Sequence, residues 1–271
     1  MKKNQAYSEL VCDYGVENTV AGEDSYCEKT IGNIKVEYLK IRSREYEQLL
    51  AKRAGDYVSI HFDEVCGLTL EEERELIDIL ALEIRTFLKE SNKKVLIAGI
   101  GNPDFIVDSV GKRAVQKLNL RGEGKLFAVS VDISEHTGIE SVDFIRGIAG
   151  VTQSDAVVVI DSVLTKSCER LSRTVQLTDA GVLPGAALGA VKKAIDRDAL
   201  GMPTVVIGVP VVIDSHSMLL DAFDELEIEK NEQIDAFLKE KKKLFLASHS
   251  VDFVIERFSY IIARAIESAV S

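Results

Sequence analysis

The sequence has little of several residue types that mark whole classes of protein: it has no tryptophan, four prolines and four cysteines among its 271 residues. The cysteines lie far apart and form no CxxC pair, which excludes a zinc ribbon and argues against a disulfide framework. No apolar run approaches the ~18 residues of a membrane-spanning helix, and the N-terminus lacks the apolar core of a signal peptide. These absences predict a cytoplasmic protein with reduced thiols and no membrane partner.

Basic residues are also in the minority. Lys and Arg number 33 against 44 Asp and Glu, a net charge of −11, which argues against nucleic acid as a direct partner. The hydrophobic fraction of 46% is enough for one sizeable core. Residues 1–30 are polar and aperiodic, so we expect an N-terminal arm or propeptide-like segment there, and a single α/β domain with C-terminal helices over 31–271.

Strand and helix patterns alternate along the rest of the chain. The predicted strands are 34–42, 57–62, 95–100, 126–131, 156–160, 174–177 and 203–214, the last interrupted near Pro210. The predicted helices are a short one between the first two strands and those over 69–91, 107–118, 141–148, 187–195, 231–243 and 250–270. This order predicts an α/β fold with a mostly parallel central sheet and helices on both faces.

A glycine-rich turn follows the strand at 95–100. Gly99 and Gly101 begin a GxGxxG pattern, but Asp104 stands where the third glycine belongs, which disfavours dinucleotide binding. The turn instead predicts close backbone packing, with the amides near Gly99, Gly101 and Asn102 as candidate donors to a substrate oxyanion.

Other enzyme signatures are missing. The histidines show no HExxH or comparable spacing and are expected to be surface or packing residues; they are His61, His136, His216 and His249. There is no GxSxG elbow for a serine nucleophile. The sequence therefore predicts no metal and no cofactor.

Aspartates follow several predicted strands. Asp108 and Asp161 both lie just past a strand end, where ligand sites of open α/β sheets gather. Each also suits a helix cap, because aspartate accepts bonds from free helical N–H groups. Two neighbouring carboxylates do not both ionise easily, so the alternative is an acid/base pair. Asp179 and Asp214 are candidates for the same sheet edge, with turn roles as their alternative.

Four segments in order resemble the germination protease family of endospore-forming bacteria. They are GIGNPDFIVDSVGKRAV at 99–115, TGIESVDFIRGI at 137–148, VVVIDSVLTKSCERLSRTVQLTDAGVLPG at 157–185 and LGMPTVVIGVPVVIDS at 200–215. The resemblance implies a three-layer, phosphorylase/hydrolase-like α/β sandwich, as in hydrogenase-maturation peptidases. It also implies an atypical aspartic endopeptidase that degrades small acid-soluble spore proteins, with Asp108 and Asp161 matching the family's proposed catalytic pair.

The resemblance further implies a zymogen with a removable N-terminal propeptide, a homotetramer, and a cytoplasmic location in the forespore or spore core. This chain departs from the family pattern at Leu183, at Ala190 and in its N-terminal arm, which is typical of a divergent member. The alternative function is therefore a catalytically altered paralogue that acts as a peptide-binding, protein-binding or assembly protein. A metal-assisted peptidase is a weaker alternative, because no histidine is suitably spaced.

Overall fold

A single mixed sheet organises the molecule. The computed structural model describes residues 9–14, 25–89, 94–102, 104–120, 124–131, 138–185, 193–229 and 231–271. Within them the sheet has nine strands in the order β1-β2-β3-β7-β8-β6-β4-β5, and β9 pairs with the end of β8.

The strands are β1 (Ser25–Ile31), β2 (Ile34–Ile41), β3 (Gly55–His61), β4 (Val95–Ile100), β5 (Leu126–Val131), β6 (Ala156–Thr165), β7 (Thr174–Thr178), β8 (Thr204–Asp214) and β9 (Phe245–Leu246). The helices are α1 (Arg44–Leu50), α2 (Leu70–Leu88), α3 (Val110–Lys117), α4 (Ser141–Thr152), α5 (Arg197–Leu200), α6 (Ser215–Glu225), α7 (Glu232–Glu240) and α8 (Val251–Val270). Short 3-10 turns include Cys12–Tyr14 and Ile106–Asp108.

The α/β class is confirmed, but the sheet is less parallel than predicted. Parallel pairing joins β5 to β4, β4 to β6 and β6 to β8, where continuous apolar runs suit burial on both faces. We call these four strands the parallel half. The strands β1, β2, β3 and β7 pair antiparallel and form the antiparallel half.

Helices cover both faces of the sheet. On one face α2, α3 and α8 bury the main core, in which Phe258 is fully buried and meets Phe62 edge-on with ring centroids 6.1 Å apart. Because α8 buries its apolar stripe within its own chain, that stripe needs no neighbouring subunit. On the other face α4 and α5 cover the parallel half, and α1 packs with Val11 against β2 and β3.

The N-terminal region is more structured than the sequence predicts. Residues 25–31 form β1, paired along its whole length with β2, and Leu10, Val11 and Cys12 are buried. Strand β1 forms a hairpin with the next strand, whereas residues 9–13 are held by contacts with the distant strands β6 and β7, which single-sequence patterns do not register.

Three other predictions need correction. Strand β6 does not end near Asp161 but continues to Thr165, because β8 runs on beside it. Strand β8 is not interrupted at Pro210 but has a bulge next to it: Val163 pairs with Pro210 and Leu164 with Val212, so Val211 is an extra residue in β8. The helix predicted over 187–195 falls mostly outside the described residues; its described end is not helical, since Ile195 pairs with Val182 in a β-bridge. Helix α6 was not predicted.

Among the described residues, none of the helices combines the length and the apolarity that a membrane crossing requires.

Candidate active site

Two glycines, Gly99 and Gly111, bring the start of α3 against the ends of β4 and β6. A Cβ atom at Gly99 would collide with the backbone of Gly111, and one at Gly111 would lie 2.5 Å from the carbonyl oxygens of Ile100 and Ile160. Only glycine permits this approach of helix to strand. Gly99 therefore supports the site through packing. Because α3 packs so closely on β4, the turn that precedes α3 lies at the end of β4.

Asp108 is the last residue of that turn, and a backbone N–H of the same turn holds its carboxylate. The N–H of Asn102 donates to Asp108 Oδ2 at 2.7 Å, and the Asn102 side chain accepts from the N–H of Asp104 at 2.9 Å. Gly101 has a φ of +128°, and a Cβ there would collide with the Asp108 carbonyl. The N-cap of α3 is Ser109, so Asp108 is not its cap, and the Asn102 amide is already engaged in a bond rather than open to a substrate oxyanion.

Asp161 lies inside β6, at the level where β4 has stopped pairing. Ile160 is the last residue of β6 opposite β4, and Asp161 itself pairs with Gly208 of β8. A position inside a strand excludes the helix-cap alternative. The residue is 5% exposed. Burial raises the pKa of Asp161 well above its ordinary value, and the negative charges of Glu9 and Asp108 raise it further.

The third carboxylate, Glu9, was not predicted. Its Oε2 accepts from the Leu164 N–H at 2.7 Å, and its own N–H donates to the Leu164 carbonyl at 2.9 Å. Burial raises the pKa of Glu9 to about 7, while the Leu164 bond and Lys52 act in the opposite direction. The only local signal is a glutamate in a polar segment, which gives no reason to place it near Asp161.

Residues 9–13 cross the sheet on the face that carries Asp161, and we call them the N-terminal strap. Buried Gln176 of β7 holds the strap at two points: its Oε1 accepts from the Val11 N–H at 2.6 Å, and its Nε2 donates to the Glu9 carbonyl at 3.3 Å. Farther along, Asp13 Oδ2 accepts from the Thr165 hydroxyl at 2.9 Å. The strap therefore contacts β6 at Leu164 and Thr165, beyond Asp161, and contacts β7 at Gln176, which is level with Asp161 across β8.

Asp179 and Asp214 do not join the pair. Asp179 is exposed at the end of β7, and its Oδ1 accepts from the Asp56 N–H at 2.7 Å. Since β7 runs antiparallel to β8, Asp179 lies toward the opposite end of β6 from Asp161. Asp214 is fully buried and caps α6, accepting from the N–H groups of His216 and Ser217 at 3.0 and 2.9 Å. Asp179 and Asp214 therefore have structural roles in this fold, as a bond between neighbouring segments and as a helix cap.

The fold, with the charges of Glu9 and Asp108 acting on buried Asp161, defines an α/β protein with a polar site beside the carboxyl end of a parallel strand. The family model described as germination protease matches residues 15–254, and the chain belongs to this family.

Relatives differ in how much of their length is matched. The germination protease of Oceanobacillus iheyensis is 30% identical over 217 residues, which cover 74% of this chain and 59% of that protein. The Clostridium acetobutylicum germination protease is 25% identical over 303 residues, covering 92% and 93%. The chain thus spans about three fifths of the Oceanobacillus protein and nearly all of the clostridial one.

Among solved structures, the NiFe hydrogenase maturation protease HycI from Thermococcus kodakarensis aligns with a TM-score of 0.41 and 16% identity. The alignment covers 68% of this chain and 99% of that chain.

Proposed function

We propose that this chain is an endopeptidase that hydrolyses small acid-soluble spore proteins with Asp108 and Asp161 as an acid/base pair. The observation that carries the proposal is the opposed setting of the two carboxyls. Asp161 is buried in a strand with a raised pKa, whereas Asp108 accepts a bond from a backbone N–H. Environments that differ in this way assign one carboxyl the proton and the other the negative charge.

In the proposed reaction, Asp108 takes a proton from a water molecule as the water oxygen bonds to the peptide carbonyl carbon. Asp161 gives its proton to the carbonyl oxygen, which forms a neutral tetrahedral intermediate. The intermediate then collapses: the C–N bond breaks, the amine nitrogen receives the proton from Asp108, and the second hydroxyl returns its proton to Asp161. The pair ends in its starting protonation state, as general acid/base catalysis requires.

The N-terminal strap supports a zymogen form of this enzyme. Glu9 adds a negative charge near both aspartates, and the strap covers the face on which a peptide would have to approach Asp161. We propose that the strap must leave this face, by cleavage or by release, before substrate enters.

The test follows cleavage of a purified small acid-soluble spore protein by wild type, Asp161→Asn and Asp108→Asn between pH 5 and 8. Loss of a general acid or base lowers the rate by about 10²–10⁴-fold. Asp179→Asn is the matched control, because Asp179 is an exposed aspartate at another strand end, and it should keep full activity. Equal cleavage by wild type and Asp161→Asn contradicts the mechanism.

The alternative is a protein that binds a peptide on the same face without cleaving it. The burial of Asp161 beneath the strap favours this alternative. Calorimetry on the same substrate separates the two functions: saturable binding with no product at any pH from 5 to 8, in protein freed of residues 1–14 by limited proteolysis, supports the binding protein.

The proposed enzyme is also expected to assemble as a homotetramer in the cytoplasm of the forespore. Light scattering on the purified protein measures the assembly directly.

A further inference from the structure

A second polar cluster lies beneath the strap, on the antiparallel half of the sheet. It brings together Cys12 of the strap, Glu37 of β2 and His61 of β3, whose ligand atoms all lie within 4.8 Å of one another. Along the sequence these residues are 25 and 24 positions apart, so their spacing does not match a metal-binding motif. The sheet register places Glu37 opposite Ser59 and Lys35 opposite His61, which puts Glu37 and His61 on one face.

We propose that Cys12, Glu37 and His61 bind a zinc ion that fastens the N-terminal strap to the sheet. Thiolate, imidazole and carboxylate are the three ligand types that zinc takes in proteins. With bonds of about 2.0–2.3 Å in a tetrahedron, two zinc ligands lie roughly 3.3–3.7 Å apart. Glu37 Oε2 and His61 Nε2 are 3.2 Å apart, close to this spacing, and Cys12 Sγ lies within 4.8 Å of the ligand atoms of both residues.

The direction of the imidazole supports a shared ligand rather than a simple ion pair. His61 Nε2 is buried and, among the described residues, has no partner in hydrogen-bonding geometry, although Glu37 Oε2 is close. The other ring nitrogen, Nδ1, lies 3.0 Å from the Thr174 hydroxyl. Arg170 Nη1 also lies 3.5 Å from Nδ1. In the proposed site the Nδ1 proton is donated to the Thr174 hydroxyl and the Nε2 lone pair faces the metal, which is the usual arrangement of a zinc-binding histidine.

Charge at the cluster also suits a dication. Lys35 contacts Glu37 Oε1 at 2.9 Å, which leaves Oε2 facing the cluster. One carboxylate and one thiolate together cancel the charge of Zn²⁺.

The thiol is the group that must change on binding. Cys12 is 4% exposed, so a thiolate there needs a compensating positive charge. When the S–Zn bond forms, the thiol proton passes to solvent, and the buried negative charge is compensated at once by the metal.

Arg170 positions Cys12 for this role. Its guanidinium donates to the Cys12 carbonyl at 3.0 Å, and its Nε lies 3.0 Å from Asp13 Oδ1, so the turn that carries Cys12 is held against the sheet before any metal arrives. Asp13 offsets the positive charge of Arg170 beside the site.

The test uses the full chain, reduced and stripped with a chelator, and titrates it with Co²⁺ and then Zn²⁺. We expect tetrahedral cobalt bands with a thiolate-to-cobalt charge-transfer band in the near ultraviolet, displaced by one equivalent of Zn²⁺. Cys12→Ser should lose the charge-transfer band, while the matched control Cys66→Ser, which changes an exposed cysteine, should keep it. Thr174→Val should weaken zinc binding by about 10–100-fold through loss of the orienting bond.

Hydrogen exchange at residues 10–13 supplies a readout that does not depend on catalysis. Zinc should slow exchange there in wild type and leave it unchanged in Cys12→Ser. Should Cys12→Ser lose its native circular dichroism, Glu37→Gln serves as the second variant, with weakened cobalt binding expected. Absence of a charge-transfer band in wild type, or its persistence in Cys12→Ser, overturns the proposal. Neither result bears on peptide cleavage by Asp108 and Asp161.

Discussion

Asp161 in the parallel half of the sheet and Glu37 in the antiparallel half are both buried carboxyls on the same face, and their surroundings differ in charge. Asp161 has Glu9 and Asp108 near it, and its pKa is raised. Glu37 lies 2.9 Å from Lys35 and 3.2 Å from His61, and its pKa is lowered to about 2 despite burial. Burial and neighbouring negative charge therefore favour the protonated form of Asp161, whereas neighbouring positive charge favours the ionised form of Glu37.

The difference arises from which segments meet at each place. Strand β6 meets the strap and the turn that follows β4, and these segments bring Glu9 and Asp108 near Asp161. Strands β2 and β3 pair directly and bring Lys35 and His61 to Glu37. A protonated carboxyl suits proton transfer, whereas an ionised one suits binding of a cation. The two halves of one face thus hold carboxyls whose pKa values are shifted in opposite directions.

The variant with the largest expected effect, Gly111→Ala, disrupts the packing that supports the parallel half. In Gly111→Ala the new methyl would lie 2.5 Å from the carbonyl oxygens of Ile100 and Ile160. Backbone atoms cannot rotate away, so we expect the free energy of unfolding to fall by about 3 kcal/mol, the upper part of the usual range for overpacking. Urea denaturation measures it.

The control is Gly147→Ala in α4, where the methyl meets open space. Alanine favours a helix over glycine by up to about 1 kcal/mol, so this variant should be as stable as wild type or more so. Equal destabilisation of the two variants would show that the close approach of α3 to β4 and β6 is not what holds the Asp161 region.

The next effect concerns pH and separates the two halves directly. The folded protein holds the Glu9 proton up to a pKa of about 7, whereas the unfolded chain releases it near 4.5. The unfolding free energy should therefore fall as pH rises from 4.5 to 7, with about 3 kcal/mol from Glu9. Glu37 has the opposite shift, so its contribution is present above pH 4.5 and is lost as pH falls toward 2.

Urea denaturation from pH 3 to 8 checks both limbs. Glu9→Gln should flatten the limb above pH 4.5 and leave the acid limb steep, and Glu37→Gln should do the reverse. If both variants change the same limb, the two carboxyls do not occupy opposed environments.

The smallest effect tests how the strap is fastened across both halves. Gln176→Ala removes two hydrogen bonds to the strap, to the Val11 N–H and the Glu9 carbonyl. Leaving these groups without their partner should weaken the attachment of residues 9–13 by about 1–2 kcal/mol. Hydrogen exchange there should speed up by roughly 5–30-fold.

The exposed glutamine of α7 provides the control, since Gln233→Ala should change stability by less than about 0.5 kcal/mol. Unchanged exchange at residues 9–13 in Gln176→Ala would mean that other contacts hold the strap. In the proposed enzyme, faster exchange should be accompanied by faster substrate cleavage.

The local sequence pattern was sufficient to predict an element's bounds where the residues of that element face a continuous core. Helix α2 begins at Leu70, within the predicted range 69–91, and Thr69 and Glu72 form a capping box at its start. Strands β4 and β5 have their predicted bounds. Strand β6 was predicted too short because a buried aspartate resembles the end of an apolar run, although β8 extends the pairing beyond it.

The site shows the same division. Asp108 and Asp161 were recognisable because each follows an apolar run, and the catalytic role of the pair stays a prediction. Glu9 and the cluster of Cys12, Glu37 and His61 were not recognisable, because their partners lie far along the chain. Asp214 was recognisable only as a polar residue after a strand, and the N–H groups of α6 decide that it is a cap.

The sequence by itself determined the α/β class, the principal helices and the family, since these depend on periodicity and on ordered motifs within single segments. The tertiary structure alone decided the mixed sheet, the course of the strap and the protonation of the buried carboxyls. The physical reason is that the pKa of a buried group depends on charges and solvent within a few ångströms, and those neighbours come from strands that are distant in the chain.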